Sequence, residues 1–107
     1  MPGITTHVLD TSTGRPAQGI KVLLEIERQR WETVGRGITD SDGRLQTLTE
    51  GIALERANYR LTFATREYDA ECFFPEVVLV FCVDEPAEHY HVPLLLSRFG
   101  YSTYKGS

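Results

Sequence analysis

Histidine is the residue type of this chain whose spacing most strongly suggests chemistry. The three histidines, His7, His89 and His91, all lie in segments that read as β-strands. His89 and His91 are two residues apart, so their side chains emerge on the same face of a strand. Imidazole titrates near neutral pH and can move a proton or bind a metal ion. The pair therefore marks a candidate site.

Three interpretations of the histidines remain open at this level. The first is a zinc site, in which His89, His91 and the distant His7 leave a fourth position open, although no carboxylate or cysteine stands at ligand spacing. The second is hydrolysis without a metal, in which an imidazole takes a proton from water. The third is that the histidines only line a subunit interface. A single histidine on a strand is most often a hydrogen-bonded polar residue.

Two basic residues are further candidates. Arg44 follows the turn sequence "DSDG", where its guanidinium could orient a planar ligand by paired hydrogen bonds or simply be solvated. Lys105 could belong to a site or blunt an edge strand with its charge. The sequence has no glycine-rich phosphate loop after a strand and no convincing Cys–His nucleophile pair.

Length and composition predict one domain over residues 1–107, with ordinary apolar content for a soluble protein. A net charge of −4 argues against a nucleic-acid partner. No apolar run approaches the roughly 20 residues that span a bilayer, so no membrane association is expected. The first residues contain no secretory signal pattern, which favours the cytoplasm. Cys72 and Cys82 are expected to be free thiols, and Cys82, inside an apolar run, to be buried.

Alternation of apolar and polar residues predicts an almost entirely β protein. In "IKVLLEIER" the residues Val22, Leu24 and Ile26 point to the core, and "YRLTFATRE" has the same pattern. About eight strands with frequent turn signals indicate a β-sandwich. The segment "EGIALERAN" reads as an irregular loop, "EYDAE" as the one short helical turn, and the closing "YSTYKGS" as a final strand.

The segment "FFPEVVLVFCVD" is apolar on both faces of the predicted strand. A small antiparallel sandwich buries only one face of each sheet in its own core. We therefore expect the second face of this strand to be covered by another subunit.

Several segments together are similar to one known family. The chain resembles the transthyretin-related 5-hydroxyisourate hydrolases from about Ile4 to Ser107, in the segments "ITTHVLDTSTGRPAQGIKVLLE", "TDSDGR", "FFPEV" and "EHYHVPLLLSRFGYSTYKGS". The ending is the most specific part, because this family typically closes on Tyr-Arg-Gly-Ser. Transthyretin shares the fold but lacks the histidine set and that ending. The resemblance thus implies the hydrolase rather than the carrier.

The resemblance implies a transthyretin-like, all-β, two-sheet sandwich of about eight strands with one short helix. It also implies a homotetramer, a dimer of dimers, with sites in clefts where dimers meet. The implied reaction opens the six-membered ring of 5-hydroxyisourate, the product of urate oxidation, to give 2-oxo-4-hydroxy-4-carboxy-5-ureidoimidazoline. No metal or organic cofactor is implied. A ligand carrier without catalysis and a three-histidine zinc hydrolase remain the alternatives.

The resemblance also assigns the site residue by residue. The implied catalytic residues are His7, Arg44, His91 and Ser107, and the implied substrate-binding residues are His89, Tyr104, Lys105 and Gly106. Ser107 would bring a hydroxyl and the terminal carboxylate into the pocket. Lys105 departs from the family, which usually has arginine there; the charge is kept but the planar pair of donors is lost. Whether His7 or His91 is the general base stays open.

Overall fold

Strands dominate the computed structural model, which describes residues 2–107. The elements, in chain order, are β1 (Gly3–Asp10), β2 (Arg15–Pro16), β3 (Lys21–Glu27), β4 (Trp31–Ile38), β5 (Arg44–Leu45), β6 (Ala57–Phe63), α1 (Thr65–Tyr68), β7 (Val77–Val83), β8 (His89–Leu96) and β9 (Tyr101–Thr103). Met1, the first residue of the predicted domain, lies outside the described residues.

These strands form two sheets. One has the order β2-β1-β8-β9, with β5 also pairing with β1; the other has the order β4-β3-β6-β7. Within residues 2–107 the recorded pairings are antiparallel except that of β1 with β8, which is parallel. The predicted two-sheet sandwich is confirmed. Residues 2–107 contain nine strands rather than eight, because β2 spans only two residues, too few to show alternation.

The core lies between the sheets, where the alternating strands place their apolar residues. Leu24 in β3 and Leu61 and Phe63 in β6 are fully buried. From the facing sheet, Ile4 and Val8 in β1 are fully buried as well. Each such side chain stabilises the fold by roughly 1.5–3 kcal/mol relative to leaving it exposed. The predicted inward faces of β3 and β6 are therefore correct.

The one helix of the described residues begins earlier than the sequence indicates. It was expected within residues 67–71 but spans Thr65–Tyr68. Thr65 is buried and its hydroxyl donates to the carbonyl oxygen of Phe74 at 2.5 Å, which holds the start of the turn. The Asp69 N–H closes the turn on the Thr65 carbonyl.

Nothing among the helices of residues 2–107 has the length and apolar character to cross a membrane.

Strand β7 is an edge strand with one buried and one exposed face. Val77, Leu79 and Val83 are buried, whereas Val78 and Val80 are 39% and 58% exposed. The expected uncovered apolar face is thus present on the single chain.

The predicted burial of Cys82 is wrong. Its side chain is exposed, because it alternates onto the outward face of β7, and its thiol contacts Asp84 Oδ1 at 3.0 Å. Cys72 is buried, and both cysteines are free, as expected.

The predicted final strand is shorter than "YSTYKGS". Strand β9 ends at Thr103, paired with Leu94 of β8. The next hydrogen-bonded pair of the ladder would join Tyr104 to Pro93, and proline has no N–H to donate. Thr103 instead donates its hydroxyl to the Pro93 carbonyl at 2.7 Å. Residues 104–107 therefore leave the ladder and remain close to β8 without forming a strand.

Candidate active site

The N-terminal strand and a tight turn place His7 beside Arg44. The turn is closed by the Gly43 N–H, which donates to the Asp40 carbonyl, and by Asp40 Oδ1, which accepts from the N–H of Arg44 at 3.0 Å. Strand β5 follows at once and pairs with β1 so that Arg44 lies opposite His7. Directly opposed residues in a sheet project their side chains to the same face.

The parallel pairing of β1 with β8 brings the other two histidines to the same face. In this register Gly3 lies opposite His89, Thr5 opposite His91, and His7 opposite Pro93. Since Ile4 and Val8 of β1 point into the core, Thr5 and His7 point outward from the sheet. The outer face of one sheet therefore carries all three histidines and Arg44.

A single hydroxyl connects two of the imidazole rings. Thr5 Oγ1 lies 2.9 Å from His89 Nε2 and 2.8 Å from His91 Nδ1. Thr5 itself is 8% exposed. The two histidines are therefore fixed relative to β1 as well as by their own strand.

The end of the chain lies against His91. The Gly106 N–H donates to the His91 carbonyl oxygen at 2.8 Å. A Cβ atom on residue 106 would lie 2.7 Å from His91 Cδ2, closer than such contacts allow. Gly106 thus covers one edge of the imidazole while Thr5 bonds the other, and Ser107, which is exposed, follows directly.

The electrostatic surroundings of His91 favour its neutral form. Partial burial is the main cause that lowers the pKa of His91 from 6.5, and the positive charges of Arg44, His7 and His89 lower it further. A ring that is neutral near pH 7 can accept a proton, which is what a general base requires.

A groove adjoins the histidine face at the open side of the sandwich, where β7, β8 and residues 103–105 lie side by side. Its volume is about 540 Å³. His91, Tyr104 and Lys105 line it together with outward residues of β7, and the Lys105 ammonium lies 5.4 Å from the centre of the Tyr90 ring. His7, Arg44 and His89 are not part of its wall. The groove itself therefore contains only part of the predicted site.

The structure places the eight predicted site residues in two adjoining groups. His7, Arg44, His89 and His91 share the outer sheet face, whereas Tyr104 and Lys105 line the groove and are followed by Gly106, which contacts His91, and by Ser107. Thr5 was missed, although it contacts two of the histidines. Its spacing of two residues from His7 in "TTHVLD" was the available signal, but its partners depend on the register between β1 and β8, which the sequence does not reveal.

The arrangement gives no support to a three-histidine metal centre. Across residues 2–107, no group of three or more His, Cys, Asp or Glu side chains is placed to hold a metal ion.

Known sequences are similar to this chain over nearly its whole length. The profile of the HIUase/Transthyretin family matches residues 4–106. A 5-hydroxyisourate hydrolase of Salmonella dublin is 43% identical over 109 residues, covering 97% of this chain and 80% of that protein.

The fold is also similar to that of solved structures. Klebsiella pneumoniae 5-hydroxyisourate hydrolase superposes with a TM-score of 0.88 at 36% identity, covering all of both chains. Sea bream transthyretin in complex with thyroxine superposes with a TM-score of 0.89 at 26% identity, over 96% of this chain and 93% of that one. On its sequence and on its fold, the chain belongs to the HIUase/Transthyretin family.

Proposed function

We propose that this chain is a 5-hydroxyisourate hydrolase of urate catabolism. It opens the six-membered ring of its substrate by adding water to a cyclic amide, giving 2-oxo-4-hydroxy-4-carboxy-5-ureidoimidazoline. The observation that carries the proposal is the 43% identity to a hydrolase over nearly the whole chain. The three histidines on one sheet face supply groups suited to that chemistry.

In the proposed mechanism, His91 or His7 is the general base. It removes a proton from a water molecule, whose oxygen bonds to the ring carbonyl carbon. The amide C–N bond then breaks, and the leaving nitrogen receives a proton from the imidazolium. Of the two, we favour His91 as the base, because its lowered pKa keeps the ring neutral and Gly106 and Thr5 hold it on both sides.

The remaining residues are proposed to bind and orient the substrate. Arg44, beside His7, would donate paired hydrogen bonds to the planar ring and offset negative charge that builds on the carbonyl oxygen. Tyr104, Lys105 and Gly106 would bind the substrate where the groove meets His91. Ser107 would position the attacking water, and His89, beside Thr5, would help to bind the substrate.

The proposed reaction needs no metal or organic cofactor. The zinc hydrolase alternative predicts about one zinc per site and loss of activity with a chelator. Elemental analysis of the purified protein, with the activity measured before and after chelation, separates the two mechanisms.

We propose that the active form is a homotetramer, a dimer of dimers, built from one domain per chain and located in the cytoplasm. The outward face of β7, with Val78 and Val80 exposed, supports burial against a second copy.

The competing function is a small-ligand carrier without catalysis. Its support is the likeness to sea bream transthyretin, which was solved with thyroxine. A carrier needs a cleft but no base, so the cluster of three histidines and Arg44 would have no role in it.

One assay distinguishes hydrolase from carrier. Freshly prepared 5-hydroxyisourate decays on its own, and its ultraviolet absorbance is followed with and without the protein. Clear acceleration supports the hydrolase, and unchanged decay would overturn it in favour of the carrier.

Three variants test the residue assignments. His7→Ala, His91→Ala and Arg44→Ala are each expected to lose a large part of the turnover, on the order of 10²- to 10⁴-fold for the residue that acts as the base. Arg15→Ala is the control, since Arg15 lies exposed in β2 at the edge of the same sheet. Near wild-type rates in all three site variants would refute the assignments.

A further inference from the structure

Thr5 contacts two of the histidines, whereas the proposed mechanism uses it only to hold the ring of His91. Its hydroxyl lies within hydrogen-bond distance of His89 Nε2 and His91 Nδ1. A hydroxyl carries one proton and can accept two hydrogen bonds. It therefore donates to at most one of these two nitrogens, and the protonation of one ring is linked to that of the other.

When His89 and His91 are both neutral, the Thr5 hydroxyl can act as donor to one ring and acceptor from the other in two arrangements. In one, Thr5 donates to His91 Nδ1, so that His91 carries its proton on Nε2. In the other, His91 Nδ1–H donates to Thr5, which in turn donates to His89 Nε2, so that His91 Nε2 has a free electron pair. Only the second leaves the outer ring nitrogen able to take a proton from water.

We propose that Thr5 is a positioning residue that sets the tautomer of His91, holding the proton on Nδ1 and leaving Nε2 as the basic atom. This inference rests on the proposed hydrolase function with His91 as its base. Thr5 does not touch the substrate; it acts through the imidazole. When Nε2 accepts a proton, the Nδ1–H bond to Thr5 persists, so no rearrangement is needed during the reaction.

The surroundings of His91 explain why its tautomer needs a positioning residue. Partial burial is the main cause that disfavours the imidazolium of His91, and the positive charges of Arg44 on β5, His7 on β1 and His89 on β8 disfavour it further. The ring is therefore kept neutral, and a neutral imidazole can carry its proton on either nitrogen. Gly106 holds the ring in place but offers its Cδ2 edge no hydrogen bond. Thr5 is the group that distinguishes the two nitrogens.

The test compares Thr5→Val with Thr5→Ser. Valine keeps the shape of the side chain and removes the hydroxyl, whereas serine keeps the hydroxyl. Thr5→Val is expected to lower kcat by about tenfold or more, because part of the rate gain from the general base is then lost. KM is expected to change little. Thr5→Ser is expected to restore most of kcat.

Thr6→Val is the matched control. Thr6 is the adjacent residue, is fully buried, and its hydroxyl donates to the Val92 carbonyl oxygen at 2.6 Å rather than to a histidine. It should keep the wild-type kcat even if it lowers stability. If Thr6→Val lowers kcat as much as Thr5→Val, the effect belongs to buried hydroxyls in general and the proposal is wrong.

Nitrogen-15 NMR of the histidine rings reads the tautomer directly in the wild-type protein and does not depend on activity or on any variant folding. The expected result for neutral His91 is a protonated Nδ1 and an unprotonated Nε2. The opposite tautomer would overturn the role of Thr5 even if the protein is an active hydrolase. Absence of any acceleration of substrate decay would instead overturn the hydrolase function itself.

Discussion

At the scale of single residues, Gly106 packs so closely against His91 that no side chain fits between them. We predict that Gly106→Ala lowers kcat by about tenfold or more, because its Cβ would lie 2.7 Å from His91 Cδ2 and 3.1 Å from the His91 carbonyl oxygen. The ring or the chain end must shift to make room. Steady-state kinetics measures the loss, and thermal unfolding checks that the fold is intact.

Gly100→Ala is the control for this prediction. It makes the same change six residues earlier, where the nearest atom to the new Cβ, Ser97 Oγ, is 3.8 Å away. Equal kinetics for the two variants would mean that close packing of the chain end on His91 has no catalytic consequence.

The protonation of His91 predicts how stability depends on pH. Burial, followed by the charges of Arg44, His7 and His89, lowers the pKa of His91 in the folded state below 6.5. The unfolded chain therefore binds more protons than the folded one as the pH falls through about 6.5, and the free energy of unfolding decreases over that interval. Urea unfolding between about pH 8 and pH 5 measures the slope.

The variant His91→Gln isolates this contribution, because glutamine does not titrate. Its stability should fall less steeply than that of the wild type below about pH 6.5. Identical slopes for the two proteins would show that the pKa of His91 is not lowered by folding.

Residue types and short spacings predicted the histidine face but not the contacts within it. The two-residue period of a strand was enough to place His89 and His91 together. Thr5 could not be found in this way, because its hydroxyl meets both rings only through pairing between segments more than 80 residues apart. The departure of Lys105 from the family pattern was visible in the sequence, whereas its position over the Tyr90 ring was not.

At the scale of elements, the turn before β5 decides where Arg44 lies. Gly43 has a φ of +74°, and a Cβ there would clash with the Val8 carbonyl oxygen and lie 3.2 Å from both Ala17 N and Pro16 Cβ. We predict that Gly43→Ala destabilises the fold by about 1–3 kcal/mol or more and also lowers kcat, since strain and the clash both act on the residue next to Arg44. Chemical denaturation and steady-state kinetics measure the two effects.

Gly14→Ala separates backbone strain from crowding. Gly14 has the same φ of +74°, but nothing lies within 4 Å of its Cβ position. Gly14→Ala should lose only the stability that backbone strain at this φ costs, and should keep its activity. If Gly14→Ala and Gly43→Ala were equally destabilised and equally active, the close approach of the turn to β1 would be unimportant.

The elements that alternation predicts are those that cross the core. Strands β3 and β6 were placed with the correct inward faces because each has at least three alternating apolar residues. The two-residue strand β2 is too short for such a pattern. The early end of β9 depends on Pro93 in the neighbouring strand, so the local sequence "YSTYKGS" could not indicate it.

At the scale of the whole molecule, the uncovered face of β7 is the feature that a single chain does not explain. This strand ends its sheet, so its outer edge is unpaired in the chain alone, and its outward side chains Val78 and Val80 are apolar. Cys82 lies on the same outward face. Burial against a second copy would remove this apolar surface from water and give β7 a partner.

We predict that Val80→Lys prevents formation of the tetramer. A lysine placed in a buried contact would have to lose its hydration or separate the subunits, and separation is the less costly outcome. Light scattering after size-exclusion chromatography should give a mass near four times 12.1 kDa for the wild type and a smaller assembly for the variant. Ile38→Lys is the matched control: Ile38 is 57% exposed, compared with 58% for Val80, but lies in β4, at the opposite edge of the same sheet. Equal masses for Val80→Lys and the wild type would show that the exposed face of β7 is not the subunit contact.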